Sequence, residues 1–287
     1  MSTTDRPAKL RAFFAHYVAQ CGGARDPRTK WAFGLVPREP FAGPAPWSIV
    51  ALDTNSGAET YLQTPDDNPA FLYQDVLIAL DTARGINIGQ PSLHARCLDA
   101  LAPQPGETVL QVGAGSGYYT AIIAHLVEAS GRVHAFEIDR DLARRAGINL
   151  ANLPWVEVEA RSGIAQDLPK VDAVYVNAGI TQPSWAWLDA LRPGGRLFFP
   201  LQPEGGLGGM LWAEKPREGG MTWPARFVSR SAFIPCVGPQ DAKTGTTLAP
   251  AFARGDWRTV KSLHLADRPD DTCWVKGDDW WLSTARP

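Results

Sequence analysis

Apolar residues recur along this chain with two different periods, and the place where one gives way to the other marks its organisation. Near the N-terminus Leu10, Phe13, Phe14, Tyr17 and Val18 share one face at helical spacing, and Gly22-Gly23 stops the run. Asp26 and Pro27 then read as the N-cap and first turn of a second helix over "DPRTKWAFGLVP". "REPFAGPAP" reads as loop, and residues 48–74 show no clean periodicity. From about residue 90 the rhythm becomes regular. Pro91 opens a helix carrying Leu93, Cys97, Leu98 and Leu101. Strands are predicted over 108–112, 132–138, 156–160, 171–176 and 196–201, and helices over 118–129, 140–153 and 184–191. Short apolar strands alternating with helices predict an α/β fold with a doubly wound, mostly parallel sheet. Beyond Pro200 the alternation ends. "GMLWAEK" and "ARFVSRSAFIPC" read as an antiparallel C-terminal hairpin on the sheet edge. The Pro/Gly/Asp-rich stretch from Gly238 onward, with its interspersed tryptophans, reads as an irregular extension. The expected division is therefore 1–89, N-terminal helices on the substrate side; 90–237, a ligand-binding α/β domain; and 238–287, an extension packing on it.

Composition narrows the function classes. The chain has 287 residues and a formal net charge of −2, so no general electrostatic attraction to nucleic acid or to an anionic membrane is expected. No apolar run approaches the roughly 18–20 residues that span a bilayer. "MSTTDRPAKL" lacks the apolar core of a signal segment, and a cytoplasmic setting is expected. Cys21, Cys97, Cys236 and Cys273 are scattered with no C-x-x-C pair, so neither a metal site nor a disulfide framework is expected.

The stretch that carries chemistry is "VLQVGAGSGYYT", residues 109–120. Gly113, Gly115 and Gly117 follow a strand and precede a helix. In an open α/β sheet that is the ligand-binding end, where glycine lets the backbone turn tightly and approach a ligand without a Cβ in the way. A dinucleotide fingerprint, G-x-G-x-x-G, would need glycine at 118, which is Tyr118, so an oxidoreductase with a nicotinamide cofactor is disfavoured. The G-x-G-x-G spacing matches the loop of class I methyltransferases, which bind S-adenosylmethionine. Glu137, at the end of the next strand, is the candidate carboxylate for the ribose hydroxyls, with Asp139 as its competitor.

With these pieces in order the chain resembles the protein-L-isoaspartate O-methyltransferases, from about Leu10 to Val237. "DPRTKWAFGLVPREPF" is similar to that family's VPRE-F segment, and "LYQDVLIAL" stands where the family has Y-x-D followed by apolar residues. "GINIGQPSLHA" resembles its G-Q-T-I-S-x-P, "VLQVGAGSGY" its V-L-E-I-G-x-G-S-G-Y, and "LRPGGRLFFP" its later strand. The resemblance implies a Rossmann-like methyltransferase sheet, S-adenosylmethionine as cofactor, and a protein, peptide or small-molecule acceptor. It implies cofactor contacts at Ile86, Asn87, Ile88, Gly89, His94, Gly113, Ala114, Gly115, Ser116, Gly117, Glu137, Ile138, Ser162 and Gly163.

Three departures from the family pattern involve four residues. Gly89 and Asn87 stand where the family has its active-site Ser and a Thr, Gln111 where it has Glu, and Ser162 where it has Asp. The family's Ser hydroxyl is implied to orient the acceptor carboxylate, and Gly89 has no side chain for that role. Asn87 and Ser92 are the remaining candidates. The glycine loop and ribose acid are intact, so the expectation is a retained cofactor site beside an altered acceptor site, with weak or absent methylation of isoaspartyl peptides. Methyl transfer from a sulfonium is a one-step in-line displacement in which the protein mainly aligns and desolvates the nucleophile. A carboxylate is already a nucleophile near neutral pH, whereas an alcohol or amine needs a base. Asp81, His94 and Asn177 are the groups near the expected pocket, and no constellation singles one out as a base. Two rival readings of the three departures stand beside it: a non-catalytic module that binds cofactor or a partner, and a genuine isoaspartyl repair methyltransferase in which another group, such as Asn87 or Ser92, orients the acceptor.

Overall fold

The protein is described from a computed structural model over residues 5–52, 59–165, 167–237, 242–266 and 268–287. Three helices come first: α1 (Asp5–Gly22), α2 (Pro27–Leu35) and α3 (Glu39–Ala42). Asp26 caps α2 by accepting from the Arg28 amide, and Pro27 occupies its first turn, as its sequence predicts. A hairpin of β1 (Ser48–Leu52) and β2 (Glu59–Gln63) follows, then the short pair β3 (Ala79–Asp81) and β4 (Ile86–Asn87), and α4 (Pro91–Leu101).

The α/β unit contains β5 (Thr108–Val112), α5 (Tyr118–Val127), β6 (Arg132–Glu137), α6 (Arg140–Asn149), β7 (Val156–Ala160), β8 (Val171–Val176), α7 (Trp185–Ala190) and β9 (Leu191–Leu201). The chain then adds β10 (Gly208–Glu214), β11 (Thr222–Ser231), α8 (Ala242–Ala253), β12 (Ser262–His264), β13 (Cys273–Lys276) and β14 (Trp281–Ser283). One sheet of ten strands has the order β13-β14-β12-β11-β10-β9-β8-β5-β6-β7. The five strands β9, β8, β5, β6 and β7 are parallel, and the remainder pair antiparallel. From β5 the chain proceeds outward to β6 and β7, then returns to place β8 on the other side. The gap between the carboxyl ends of β5 and β8 is therefore the topological switch point, where open α/β sheets bind ligands.

Both faces of the sheet are covered. Tyr175 and Phe198 pack beneath α1, α2, α4 and α5, while Leu110, Val174, Val176 and Phe199 pack against α7 and α8. Burial on both sides explains why these strands read as unbroken apolar runs. Among the described residues no helix is long and apolar enough to cross a membrane.

The structure departs from the pattern in four places. The buried stripe of α1 is Phe14, Ala15, Val18 and Ala19, whereas Phe13 is 68% and Tyr17 46% exposed. The helix is turned so that its small residues meet α2 and α4. "REPFAGPAP" contains the one-turn α3, preceded by a buried Arg38 that donates to the Leu72 and Gln74 carbonyls at 2.6 and 2.9 Å. The β1–β2 hairpin is only half buried, so no alternation shows in its sequence. Finally, the stretch after 237 is not irregular throughout. It supplies α8 and three short strands that continue the sheet beyond β11, so the β10–β11 hairpin is interior to the sheet. Strands of three or four residues are too short to display a period, yet Leu263, Trp274, Val275, Trp280 and Leu282 are all buried. Phe227, Phe252 and Trp274 meet edge to face at 5.2–5.3 Å between centroids, which ties the tail to β11.

Candidate active site

The glycine loop leaves β5 with Gly113, Gly115 and Gly117 at φ of 77°, 57° and 93°, a region that side chains with a Cβ rarely adopt. The Gly113 and Ala114 amides both donate to the Phe136 carbonyl, at 2.8 and 3.2 Å, which ties the loop to the end of β6. Glu137 sits just beyond that point, with 8% of its surface exposed. Its Oε2 accepts from the Gly115 amide at 2.8 Å and its Oε1 from the Asp139 amide at 3.0 Å. Each carboxylate oxygen retains a lone pair for a further donor.

Asp139, two residues on, is already committed. Its Oδ1 accepts from the Asp141 and Leu142 amides as the cap of α6, and its Oδ2 pairs with Arg84 at 2.6 Å. The Leu142 amide and then the Arg84 guanidinium hold its carboxyl below the usual carboxylate range. Of the two acids, Glu137 is the one not already ion-paired.

Two cavities flank the loop. One, of about 340 Å³, is bordered by Ile86, Glu137, Ile138, Ser162 and Gly163. The other, of about 530 Å³, is bordered by Ile88, Gly89, His94, Ala114, Ser116 and Ser231. Asn87, Gly113, Gly115, Asn177 and Ile234 border both, so the two spaces meet directly over the switch point. Asn177 is fixed there by its amide, which donates to the Val112 carbonyl at 2.8 Å.

A strap of chain after β11 closes the far side. The Gly179 amide donates to the Ile234 carbonyl, and the Cys236 amide to the Gly179 carbonyl, both at 2.8 Å. The Gln202 side chain grips Phe233 twice, donating to its carbonyl and accepting from its amide, again at 2.8 Å. A Cβ at residue 179 would fall 2.3 Å from the Gln202 amide group, so any larger residue there displaces that side chain from its place on the strap.

Thirteen of the fourteen residues assigned to the cofactor by resemblance border one cavity or both. Gly117 borders neither. It starts α5, and a Cβ there would lie 2.8 Å from Leu150 Cδ1 of the chain leaving α6, so its role is packing. Ser92 also faces elsewhere, donating to Asp75 Oδ2 at 2.6 Å. Asp81 is ion-paired with Arg84 at 2.6 Å. Gln111 lies behind the loop, fully buried, where its Oε1 accepts from Thr120 at 2.6 Å. The exchange of Glu for Gln therefore bears on α5 before it bears on a ligand. Sequence reasoning missed Phe233, Ile234 and the Gln202 clamp, which lie outside any loop motif, and it passed over Tyr175, which reads only as strand core.

Gly89 has φ +89°, and its amide donates to Asn87 Oδ1 at 2.9 Å. A Cβ built on it would stand 2.5 Å from His94 Nε2. The His94 ring stacks on Tyr119 with centroids 3.6 Å apart and meets the Tyr175 hydroxyl through Nδ1 at 2.7 Å. Burial, with the nearby Arg38 charge second, pushes its pKa down to about 3. A neutral imidazole of that kind is a hydrogen-bonding group rather than a base for neutral pH.

The residues lining these spaces carry unpaired polar atoms. Asn177 Oδ1, Ser116 Oγ and Ser231 Oγ, on residues that border the cavities, are buried without hydrogen-bond partners among the described residues. A buried polar atom left unpaired costs about 1–3 kcal/mol, so a ligand that pairs with them is favoured. The one potential metal-ligating group among the described residues, His134, Glu157 and Glu159, lies on β6 and β7 away from both cavities.

The profile of the protein-L-isoaspartate(D-aspartate) O-methyltransferases matches residues 59–240 of this chain. The chain belongs to that family. Protein-L-isoaspartate O-methyltransferase 2 of Anaeromyxobacter sp. (strain Fw109-5) is 34% identical over 215 residues, spanning 72% of this chain and 76% of the relative. The protein-L-isoaspartate O-methyltransferase of Pyrobaculum neutrophilum is 32% identical over 220 residues, 75% of this chain and 92% of the relative. Among solved structures, a protein-L-isoaspartate O-methyltransferase superposes with a TM-score of 0.62 at 18% identity, covering 96% of this chain and 86% of its own. A Plasmodium falciparum structure named for the same activity, in complex with S-adenosyl-L-homocysteine, gives 0.59 at 18% identity, covering 79% and 97%. At these identities the superpositions speak for the fold. Family membership makes this chain an S-adenosylmethionine-dependent O-methyltransferase.

Proposed function

We propose that the chain methylates a peptide carboxylate of the isoaspartyl kind, in an acceptor site altered at the group that orients that carboxylate. The observation that carries this reading is the shared border of the two cavities. The Glu137 side is shaped for a nucleoside, the Gly89–His94 side remains for an acceptor, and they join at Gly113, Gly115 and Asn177. S-adenosylmethionine supplies an electrophilic methyl group. What the chain's own residues must do is hold the two partners in line across that border and keep water out. Glu137 and the loop amides fix the donor end. The strap at Phe233–Cys236 covers the junction. The altered element is residue 89: at its positive φ and with His94 so close, no side chain is accommodated, so the acceptor is oriented by other groups. A carboxylate acceptor needs no base, which fits a junction where His94 is neutral and Asn177 cannot titrate. Four scattered cysteines with no C-x-x-C pair fit a reducing, cytoplasmic setting.

The test is transfer of labelled methyl from S-adenosylmethionine to an isoaspartyl peptide, its aspartyl counterpart and a peptide offering only a C-terminal carboxylate. Label released as methanol by mild alkali is expected from the isoaspartyl peptide. Alkali-stable label would place the methyl on nitrogen or an alcohol and remove the carboxylate reading. No turnover on any peptide, with S-adenosylhomocysteine still bound, would leave the chain a non-catalytic cofactor-binding module.

A further inference from the structure

Tyr175 lies on β8, buried in the sheet core, and its hydroxyl stands 2.7 Å from His94 Nδ1. A hydroxyl in that setting must place its proton somewhere. Among the described residues its other hydrogen-bonding neighbour is the buried thiol of Cys97, whose sulfur is a weak acceptor beside an imidazole lone pair. The hydroxyl therefore donates to Nδ1, and the neutral ring carries its own proton on Nε2. That nitrogen has no hydrogen-bond partner among the described residues, and its ring borders the larger cavity. It reaches the cavity edge because residue 89 is glycine, a Cβ at 89 falling 2.5 Å from it. The ring cannot swing away. Tyr119 stacks on one face at 3.6 Å, and Phe233 of the strap meets it edge to face at 5.9 Å.

We infer that Tyr175 is a positioning residue that locks His94 as a neutral Nε2–H donor, and that this donor binds a carboxylate in the larger cavity. The inference rests on the carboxylate reading above for one of two sources of that group: the acceptor's carboxylate, or the amino-acid carboxylate of the methyl donor. A fixed neutral N–H suits this task. It offers one directed hydrogen bond to an anion, without the desolvation cost of burying a cation there.

Two measurements test it. The first is ¹⁵N NMR of histidine-labelled protein, with the His94 signal among the five histidines identified by its loss in His94→Gln. The Nε2–H tautomer is expected in the parent, and a tautomer mixture in Tyr175→Phe. An Nδ1–H tautomer in the parent would overturn the inference. The second is binding and turnover in parent, Tyr175→Phe, His94→Gln and His94→Val proteins. If the acceptor carboxylate is the partner, Tyr175→Phe and His94→Val lower kcat/KM for an isoaspartyl peptide about tenfold or more, with S-adenosylhomocysteine affinity within twofold of the parent. If the donor's carboxylate is the partner, S-adenosylhomocysteine affinity falls by that factor, while affinity for methylthioadenosine, which lacks the carboxylate, is unchanged. His94→Gln, which keeps an N–H donor, is expected within about threefold of the parent in either case. Equal loss for both nucleosides, or no loss of either kind, would overturn the inference. Should His94→Val fail to fold, Tyr175→Phe carries the comparison, since it removes a single hydroxyl. Absence of any ester alongside the expected tautomer and nucleoside results would sink the acceptor reading and leave this inference standing.

Discussion

At the scale of single residues the informative position is Gly89. Read as sequence, it is a missing hydroxyl, and Gly89→Ser looks like its restoration. The structure reverses that expectation, because φ is +89° and the His94 ring fills the space a Cβ needs. Gly89→Ser should instead lose stability by roughly 1–3 kcal/mol, the scale of a non-glycine residue held in a sparsely populated region. Chemical denaturation reads this out, and a stabilised or more active Gly89→Ser protein would show that the loop relaxes. Glu137 and Asp139 separate in the same way. Glu137→Ala should weaken S-adenosylhomocysteine binding by roughly 1.5–3 kcal/mol, the scale of hydrogen bonds to a charged group. Asp139→Ala should chiefly remove a helix cap, lowering stability by about 0.5–2 kcal/mol. Calorimetric titration beside thermal unfolding distinguishes the two, and reversed effects would exchange their roles. His94 adds a pH signature. Its folded pKa of about 3 lies below its ordinary 6.5, so between those values the unfolded chain binds the extra proton. Stability is then complete above pH 6.5 and declines as pH falls toward 3, with a slope of up to about 1.4 kcal/mol per pH unit from this group. His94→Gln should flatten that slope, which urea titrations at pH 4.5 and 7 would show. What the sequence carried at this scale was the cradle: the glycine spacing and Glu137 depend on local backbone geometry. The His94–Tyr175 pair joins residues 81 apart in sequence, and no local pattern announces it.

At the scale of elements, the parallel strands and their helices were legible because burial on both faces leaves apolar runs separated by turns. The tail strands were not, since three or four residues cannot show a period, and α1 was rotated from its expected face by the partners it packs on. The strap was read as the end of a hairpin strand. In the structure it forms a wall common to both cavities, and Gln202 holds it with two backbone hydrogen bonds. Gln202→Ala leaves the half-buried Phe233 amide and carbonyl without those partners, at a cost of about 0.5–1.5 kcal/mol for each hydrogen bond lost. The expected outcome is weaker S-adenosylhomocysteine binding together with faster hydrogen exchange at residues 233–236. Unchanged exchange there would mean that the Gly179 ladder alone secures the strap.

For the whole molecule, the arrangement follows from one reversal of strand order. Because β8 returns beside β5, the glycine loop and Asn177 face each other over the carboxyl ends of the sheet, and β10 to β14 extend the far edge without disturbing that gap. The alternation of elements predicted a doubly wound sheet with the glycine loop at its ligand-binding end, whereas the strand order that sets the switch point and the division of the larger cavity between donor and acceptor depend on long-range packing. The claim on which everything else rests is that this gap is the methyl-donor site. The direct test is the melting temperature of the protein with S-adenosylhomocysteine, with NAD, and with neither, in the parent and in Gly115→Val. In the parent, S-adenosylhomocysteine at 100 times its dissociation constant should stabilise by roughly 2.7 kcal/mol, with no effect of NAD. In Gly115→Val, which also has to accommodate φ +57°, the unliganded melting temperature is the baseline and the ligand-induced rise should vanish. No rise in the parent at millimolar S-adenosylhomocysteine, or a full rise in Gly115→Val, would contradict it.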